Sequence, residues 1–497
     1  MSYGMIFTPD WAVTVLTGVL VFLVTLYFLQ SRDKRKSLPP GPFAWPAVGN
    51  LPQILGKDLH IVLTNWAKLY GDIVWARIGV DNVLIVNNMN LAKETMVKHG
   101  RVFSGRPKKR KTVEVLLGDG TDIAMADISP ELKFHRNTIH SFFINQRRSG
   151  RLQLENIISI EADSFSKTLQ ECCDRGIDFD PKLEISRVVA NVLCQCILNQ
   201  RFDRIDESFE EQLRVIKDII DNIENFNIVD VFPWLERFPI PSWVRFKGSL
   251  ARLDQWLSRV ISEHKDTLQS DHNRDLLDML LNMQLEAKAE NDEEKIRMLS
   301  DRTIGHIVHE LFGGGIESTT MAILWFMIYL MHNPEWQDLI ANEVLDQYGE
   351  DEIPSSFDRR TCPQLEAAIK ETLRLACVLP VGFPHRTMKE VNVRGYKVPA
   401  DTMVIVNTWA IHHDNKAWHD PYTFNPERFL ENRDEKFSYL PFGIGNRVCL
   451  GSSLATMEVF VYCAVLVSRF KFRPPDGDKL PELKANQDLL CGLIRSE

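Results

Sequence analysis

From about residue 131 to residue 345, apolar side chains recur at spacings of three and four with charged residues between them, as in Leu213 to Ile223 and Asp254 to Leu268. That period is the helical one, so the stretch predicts a helical body. Upstream the pattern changes. Ile73 to Ile78 and Val83 to Val86 are short runs rich in β-branched residues, separated by Gly79 and Asp81-Asn82, and they predict a small sheet. Residues 286–298 are highly charged, and Ser300-Asp301 next offers an N-cap for a long helix that Asn333-Pro334 should end. A further helix, expected to be amphipathic, runs from Ser452 to Arg469. With no internal repeat and no βαβ series, the predicted class is mainly α with small β-sheets.

The first fifty residues read differently. Trp11 to Leu29 is apolar apart from a few threonines and one glycine, and about 19 helical residues nearly cross a bilayer core. The cluster Arg32-Asp-Lys-Arg-Lys36 follows as a stop-transfer flank, which by the positive-inside rule leaves the N-terminus lumenal and the rest cytosolic. Leu38-Pro-Pro-Gly-Pro42 and Pro46 then predict a stiff, extended segment. No linker-like composition divides the chain after about residue 50. The expected organisation is a membrane anchor with its basic flank (1–36), a proline-rich hinge (37–50) and one large domain (51–497).

Composition narrows the function classes. A chain of 497 residues, 44% hydrophobic and 25% charged, can bury a large core, and a net charge of -9 argues against nucleic-acid binding. Nine cysteines form no paired framework, so the bulk reads as reduced and cytosolic. Cys172-Cys173 and Cys194-Gln-Cys196 are too close together for ordinary metal-ligand spacing and read as buried thiols.

One cysteine is set apart. In Phe442-Gly-Ile-Gly-Asn-Arg-Val-Cys-Leu-Gly451, three glycines permit tight turns against a flat ligand, and Arg447 can pair with a carboxylate. Cys449 lies just before the helix from Ser452, whose exposed amides should favour a thiolate. Glu371 and Arg374 are three apart on one helical face. Within the long helix, Phe312-Gly-Gly-Gly-Ile-Glu-Ser-Thr-Thr320 places three adjacent glycines, each costing roughly 1 kcal/mol relative to alanine. Such a weak point suits an opening where freed carbonyls, a hydroxyl and water meet a ligand.

The cysteine run matches, at every fixed place, the haem-binding signature of the cytochrome P450 superfamily, Phe-Gly-x-Gly-x-Arg-x-Cys-x-Gly. Almost the whole chain resembles the animal microsomal branch that contains steroid 17-alpha-hydroxylases and aryl-hydrocarbon hydroxylases. Phe103-Ser-Gly-Arg-Pro107, Ile219-Ile-Asp-Asn222, Val229-Asp-Val-Phe-Pro-Trp-Leu235 and Trp409-Ala-Ile-His-His413 point to the steroid enzymes. The resemblance implies a cytochrome P450 fold, with haem b between the long central helix and the cysteine loop and Cys449 as the iron ligand. It implies that Phe442, Arg106, Arg136, His385 and Arg447 bind the cofactor, that Glu371, Arg374 and Arg428 form a buried charge network, and that Glu317, Ser318 and Thr319 pass protons. It implies a substrate pocket containing Ile216, Ile219, Ile220, Gly314, Val381, Gly382 and Leu489-Leu490.

Four positions depart from the family pattern. Ser318 stands in place of a threonine, Gly314 of an alanine, Leu132 of a tryptophan that often binds a propionate, and Ile216 of a polar residue that can reach a sterol oxygen. The implied activity is a monooxygenase that inserts one oxygen atom from O2 into a lipophilic substrate, a steroid in the first instance. An NADPH-cytochrome reductase, with cytochrome b5 as a further partner, would supply electrons. Lys133, Arg136, Arg147, Arg148 and Arg151 could dock the reductase, and the implied site of action is the endoplasmic reticulum membrane with the catalytic domain facing the cytosol. The alternatives are a xenobiotic or aromatic-hydrocarbon hydroxylase of the same branch, a haem-thiolate isomerase and a non-enzymatic haem sensor.

Overall fold

Ser300 caps a helix that runs unbroken from Asp301 to His332, its side chain accepting a hydrogen bond from the Thr303 amide at 3.2 Å. The chain turns at Asn333, and Pro334 opens the next helix, Pro334–Tyr348, as a proline at the first helical position can. In the computed structural model, the described residues are 37–474 without 47, 80, 108–109, 118–121, 149–150, 177–180, 204–205, 225–227, 271, 351 and 431–437, together with 13–15, 17, 18, 479–481, 483 and 492–495. The expected anchor and its basic flank therefore lie outside the described residues, apart from five exposed helical positions between 13 and 18.

The described chain packs as two interleaved units. The first comprises residues 1–105, 380–411 and 444–446. It holds the expected strands as an antiparallel hairpin, β1 (Ile73–Ile78) and β2 (Asp81–Val86), with Ile73 opposite Val86. Gly79 supplies the positive φ of the turn. Two later segments complete the sheet in the order β1-β2-β6-β3. Here β6 (Met403–Val406) runs parallel to β2, and β3 (His385–Arg386) runs antiparallel to β6. A separate hairpin joins β4 (Val391–Val393) to β5 (Tyr396–Val398).

The second unit, residues 106–379, 412–443 and 447–497, carries most of the helices. They include Pro130–Arg148, Arg151–Asp174, Pro181–Leu198, Glu207–Glu224, Pro241–Thr267, Leu276–Glu290, Asp301–His332, Pro363–Ala376 and Ser452–Arg469. The mainly helical expectation holds. One detail does not: Ser452–Arg469 has the predicted ends but is not one-sided, because every residue from Met457 to Ser468 is buried. It and the central helix are each long and apolar enough to cross a membrane, yet 72% and 61% of their apolar windows lie inside the protein. A helix apolar all round is a core helix when protein surrounds it. The unit also pairs β7 (Phe470–Arg473) with β8 (Gly492–Arg495), antiparallel.

Candidate active site

The cysteine loop is closed by its own backbone, the Cys449 amide donating to the Phe442 carbonyl at 2.9 Å. Gly443 and Gly445 both take positive φ. At Gly445 space also forbids a side chain, since a Cβ would stand 2.1 Å from the Met96 carbonyl oxygen. Cys449 retains solvent-accessible surface, yet desolvation raises its thiol pKa above the ordinary value. Both facts fit a thiol on the wall of an internal cavity. The amides of Gly451 and Ser452 and the charge of Arg136 pull the other way without prevailing. The amides act in the direction expected of a helix N-terminus, burial opposes them, and ligation by a metal would remove the proton.

Three guanidinium groups gather in the same unit. Arg106, 6% exposed, donates from Nε to the Ala124 carbonyl at 2.8 Å, and Asp127 accepts its backbone N–H at 2.9 Å. Arg447 donates to the Ala126 carbonyl. Arg136 donates to the Val448 carbonyl at 2.7 Å, next to Cys449. Burial, then repulsion from Arg447 and Arg136, pushes Arg106 down to about 9; burial, then Arg136, pushes Arg447 down to about 10. A guanidinium does not lose its proton in practice, so these shifts express a cluster that favours an added anion. Haem fits this set: a thiol with backbone amides directed at its sulfur, and crowded cations suited to two propionates.

Two carboxyl groups adjoin the arginines, and neither is marked by a motif in the sequence. Glu310, on the central helix, accepts the backbone N–H groups of Ile123 at 2.7 Å and Ala124 at 3.2 Å. Asp122 accepts those of Met125 and, at 2.8 Å, Ala126. The two carboxyl groups lie close enough for one, when protonated, to donate to the other.

Glu371 and Arg374 are fully buried and paired through two bonds of 2.7 and 2.8 Å. Arg428 Nε reaches Glu371 at 3.0 Å, and the Asn425 amide donates to the same carboxylate at 3.0 Å. Arg374 also donates to the carbonyls of His412 and Pro421 and stacks 4.9 Å over Trp418. His412, quoted only as part of a family phrase, proves central here. Its Nε2 accepts from the Leu440 amide at 2.8 Å, so Nδ1 carries the proton and donates to the Arg374 carbonyl at 3.1 Å. Burial, then His413, pushes its pKa down to about 3, which keeps it neutral.

The central helix is buried along most of its length but opens at Gly313, Gly314, Glu317 and Ser318. A Cβ on Gly313 or Gly314 would meet nothing within 4 Å, whereas one on Gly315 would stand 2.7 Å from Leu193 Cδ1. Of the three, the third is the one at which a side chain would displace a neighbour, the end of Leu193. Ser318 Oγ donates to the Gly314 carbonyl at 2.9 Å. Glu317 forms an ion pair with Lys182 at 3.1 Å, and Thr319 is 3% exposed, turned into the core.

The remaining predicted positions scatter. Ile216 and Ile219 are buried on the helix Glu207–Glu224, while the side chain of Ile220, like those of Arg147, Arg148 and Arg151, falls outside the described residues, as do Leu489 and Leu490. Val381, Gly382 and His385 belong to the first unit, where a His385 ring nitrogen lies 3.1 Å from the Phe103 carbonyl. Leu132 is buried, and Lys133 is exposed.

Comparison with known proteins gives the same family from several directions. The sequence profile described as cytochrome P450 matches residues 39–493. A steroid 17-alpha-hydroxylase/17,20 lyase of Rana dybowskii is 39% identical over 459 residues, covering 90% of this chain and 86% of its own. A cytochrome P450 1A1 of Felis catus is 31% identical, covering 95% of this chain and 93% of its own. A zebra fish cytochrome P450 structure with progesterone superposes with a TM-score of 0.77 at 33% identity, covering 88% of this chain and 98% of the other.

Proposed function

The chain belongs to the cytochrome P450 family, and from that premise we propose that it is a membrane-attached steroid hydroxylase resembling 17-alpha-hydroxylases. The observation that carries this reading is the pairing of the Cys449 loop with an open, glycine-lined stretch of central helix, in a chain 39% identical to a steroid 17-alpha-hydroxylase/17,20 lyase. Haem b, held by Cys449 and by Arg106, Arg136 and Arg447 at its propionates, would supply a thiolate-ligated iron that favours O–O cleavage. His385 and Phe442 are proposed to complete its binding.

The protein's own groups set the rest. The open positions at Gly313 and Gly314 leave room beside the Ser318 hydroxyl, which is anchored on the Gly314 carbonyl and can hold a proton there. Glu317 is tethered to Lys182, so it exchanges protons only as that ion pair loosens. Thr319, buried, is proposed to support Ser318 rather than to donate. Ile216 and Ile219 supply an apolar lining that orients a lipophilic ligand.

Electrons would come from an NADPH-cytochrome reductase, with cytochrome b5 as a further partner. A cleft of about 1000 Å³ is bordered by Arg359, Arg360, Lys370 and Phe442, and its excess of basic groups over Glu366, which pairs with Arg359 and Lys370, supports the docking of an acidic surface. The endoplasmic reticulum membrane, with the catalytic domain in the cytosol, is the proposed location.

One observation favours a second reading. Ile216 is apolar, and a cytochrome P450 1A1 is 31% identical across nearly the whole chain, so a planar aromatic is the rival substrate. Titrating the ferric holoenzyme with progesterone, pregnenolone and a planar aromatic hydrocarbon separates them. The steroid reading expects a saturable low-to-high spin shift with the steroids; a shift with the aromatic alone would transfer the assignment.

A further inference from the structure

Segment 122–126 has no regular secondary structure, yet two carboxyl groups order it. Asp122 folds back on the segment and accepts the amides of Met125 and Ala126. Glu310 reaches across from the central helix and accepts those of Ile123 and Ala124. Four successive amides of one short loop are thus taken by carboxyl oxygens. The carbonyls of the same loop face the other way: Ala124 accepts from Arg106 Nε and Ala126 from Arg447. Each guanidinium is aimed by a carbonyl whose peptide neighbour is held by one of these carboxyl groups.

We propose that Glu310 is a positioning residue acting as an uncharged latch, which fixes loop 122–126 to the central helix and thereby orients Arg106 and Arg447 toward the cofactor. The assignment rests on the haem-binding reading given above. Two carboxyl groups that share a hydrogen bond must share a proton. Desolvation, then the charge of Asp122, raises the Glu310 pKa well above its ordinary value, so the proton resides there. Glu310 keeps some accessible surface, as a group on a cavity wall does.

Neutrality matters for the neighbours. Arg106 and Arg447 both lie near enough to feel the charge of Asp122, and that of Glu310 were it ionised. A second full negative charge would compete with propionates for the guanidinium groups, whereas a protonated Glu310 accepts the loop amides and donates to Asp122 without doing so. The latch would thus connect the helix that carries Ser318 to the cations that hold the cofactor, through one loop.

The test uses the haem-loaded full chain with E310Q and E310A. Glutamine cannot ionise and its nitrogen can donate to Asp122, but it keeps one acceptor oxygen where the two carboxyl oxygens each take a loop amide. Hydrogen exchange of the amides at 123–126 and the apparent Kd for progesterone are measured beside the reduced carbon monoxide spectrum. The latch predicts that E310Q, with one of the two acceptors kept, falls between wild type and E310A in both readouts. It predicts that E310A speeds loop exchange at least tenfold and weakens progesterone binding about tenfold, with exchange around Glu371–Arg374 unchanged.

Should E310A lose haem, wild type and E310Q decide the matter. After correction for intrinsic rates, loop protection in wild type must fall at alkaline pH as Glu310 ionises beside Asp122, Arg106 and Arg447, while E310Q stays flat. Equal exchange in E310A and wild type, an E310Q as defective as E310A, or identical pH profiles would overturn the latch. Loop exchange does not depend on substrate identity, so failure of wild type to bind progesterone with the loop protected would count against the steroid reading alone.

Discussion

Ser318 carries the same hydroxyl that a threonine would, on a side chain with one methyl fewer and a freer χ1. Its bond to the Gly314 carbonyl restrains that freedom only while the bond lasts. Two substitutions therefore have opposite signs. S318A should lower steroid hydroxylation on the order of 10²-fold, the low end for a positioned acid–base group, while NADPH oxidation persists as peroxide. S318T should raise product formed per NADPH consumed. Measuring product, peroxide and NADPH together checks both, and unchanged coupling in the two variants would remove Ser318 from the proton path. Legibility at this scale followed chemistry. Cys449 is marked by its motif, while Glu371, Arg374 and Arg428 are joined as a network only by the family resemblance. Glu310 and His412 are not marked, because what they bind is the backbone of remote segments, and Asp122 binds amides of its own loop, where any Asp can make such a turn.

Between elements the three central glycines part company. Gly314 has open space where a Cβ would go, so G314A should gain about 0.5–1 kcal/mol in helix propensity. At Gly315 the new methyl would meet Leu193, and the overpacking cost of about 1–3 kcal/mol should cancel or exceed that gain. Thermal unfolding of the two variants should therefore rank G314A above G315A; the reverse order would contradict the packing. A second contact ties the helix Pro241–Thr267 to the next one. His264 sets Nε2 3.1 Å from Asp275 and Nδ1 2.9 Å from the Val260 carbonyl, so both nitrogens face acceptors. Burial works against the charged ring, but the hydrogen bond and charge of Asp275 outweigh it and the pKa is raised. Asp278, paired with Arg274, is the other charge nearby. A raised pKa stabilises the fold fully below the unfolded value of about 6.5 and loses that effect as pH climbs through the folded one. H264Q should thus lower the Tm by a few degrees near pH 6 and by less at pH 9. A deficit that grew with pH would refute the charged ring. Elements themselves were legible where punctuation was strong: Ser300 and Pro334 bound the central helix as expected. Pro241 starts its helix well ahead of the periodic run at Asp254, and the parallel pairing of β2 with β6 joins segments too distant for any local pattern to reveal.

At the scale of the whole molecule, the fold class followed from helical periodicity, whereas the helix Ser452–Arg469 was misread as one-sided. Its polar residues are few and its surroundings are protein, and only the tertiary structure supplies the latter. Family membership carries the haem and the general activity. The substrate depends on the lining that this chain presents, with Ile216 and Ile219 buried and Gly314 open. The proposed apolar lining would orient by shape and exclude water, which suits a C–H hydroxylation better than a reaction on a charged substrate. The most direct test is turnover of progesterone by the haem-loaded chain with reductase and NADPH under ¹⁸O2. The account predicts a hydroxylated steroid carrying one labelled oxygen atom, lost when NADPH or reductase is left out. A protein that gives the thiolate carbon monoxide spectrum but forms no steroid product, or one whose product takes its oxygen from water, would contradict it.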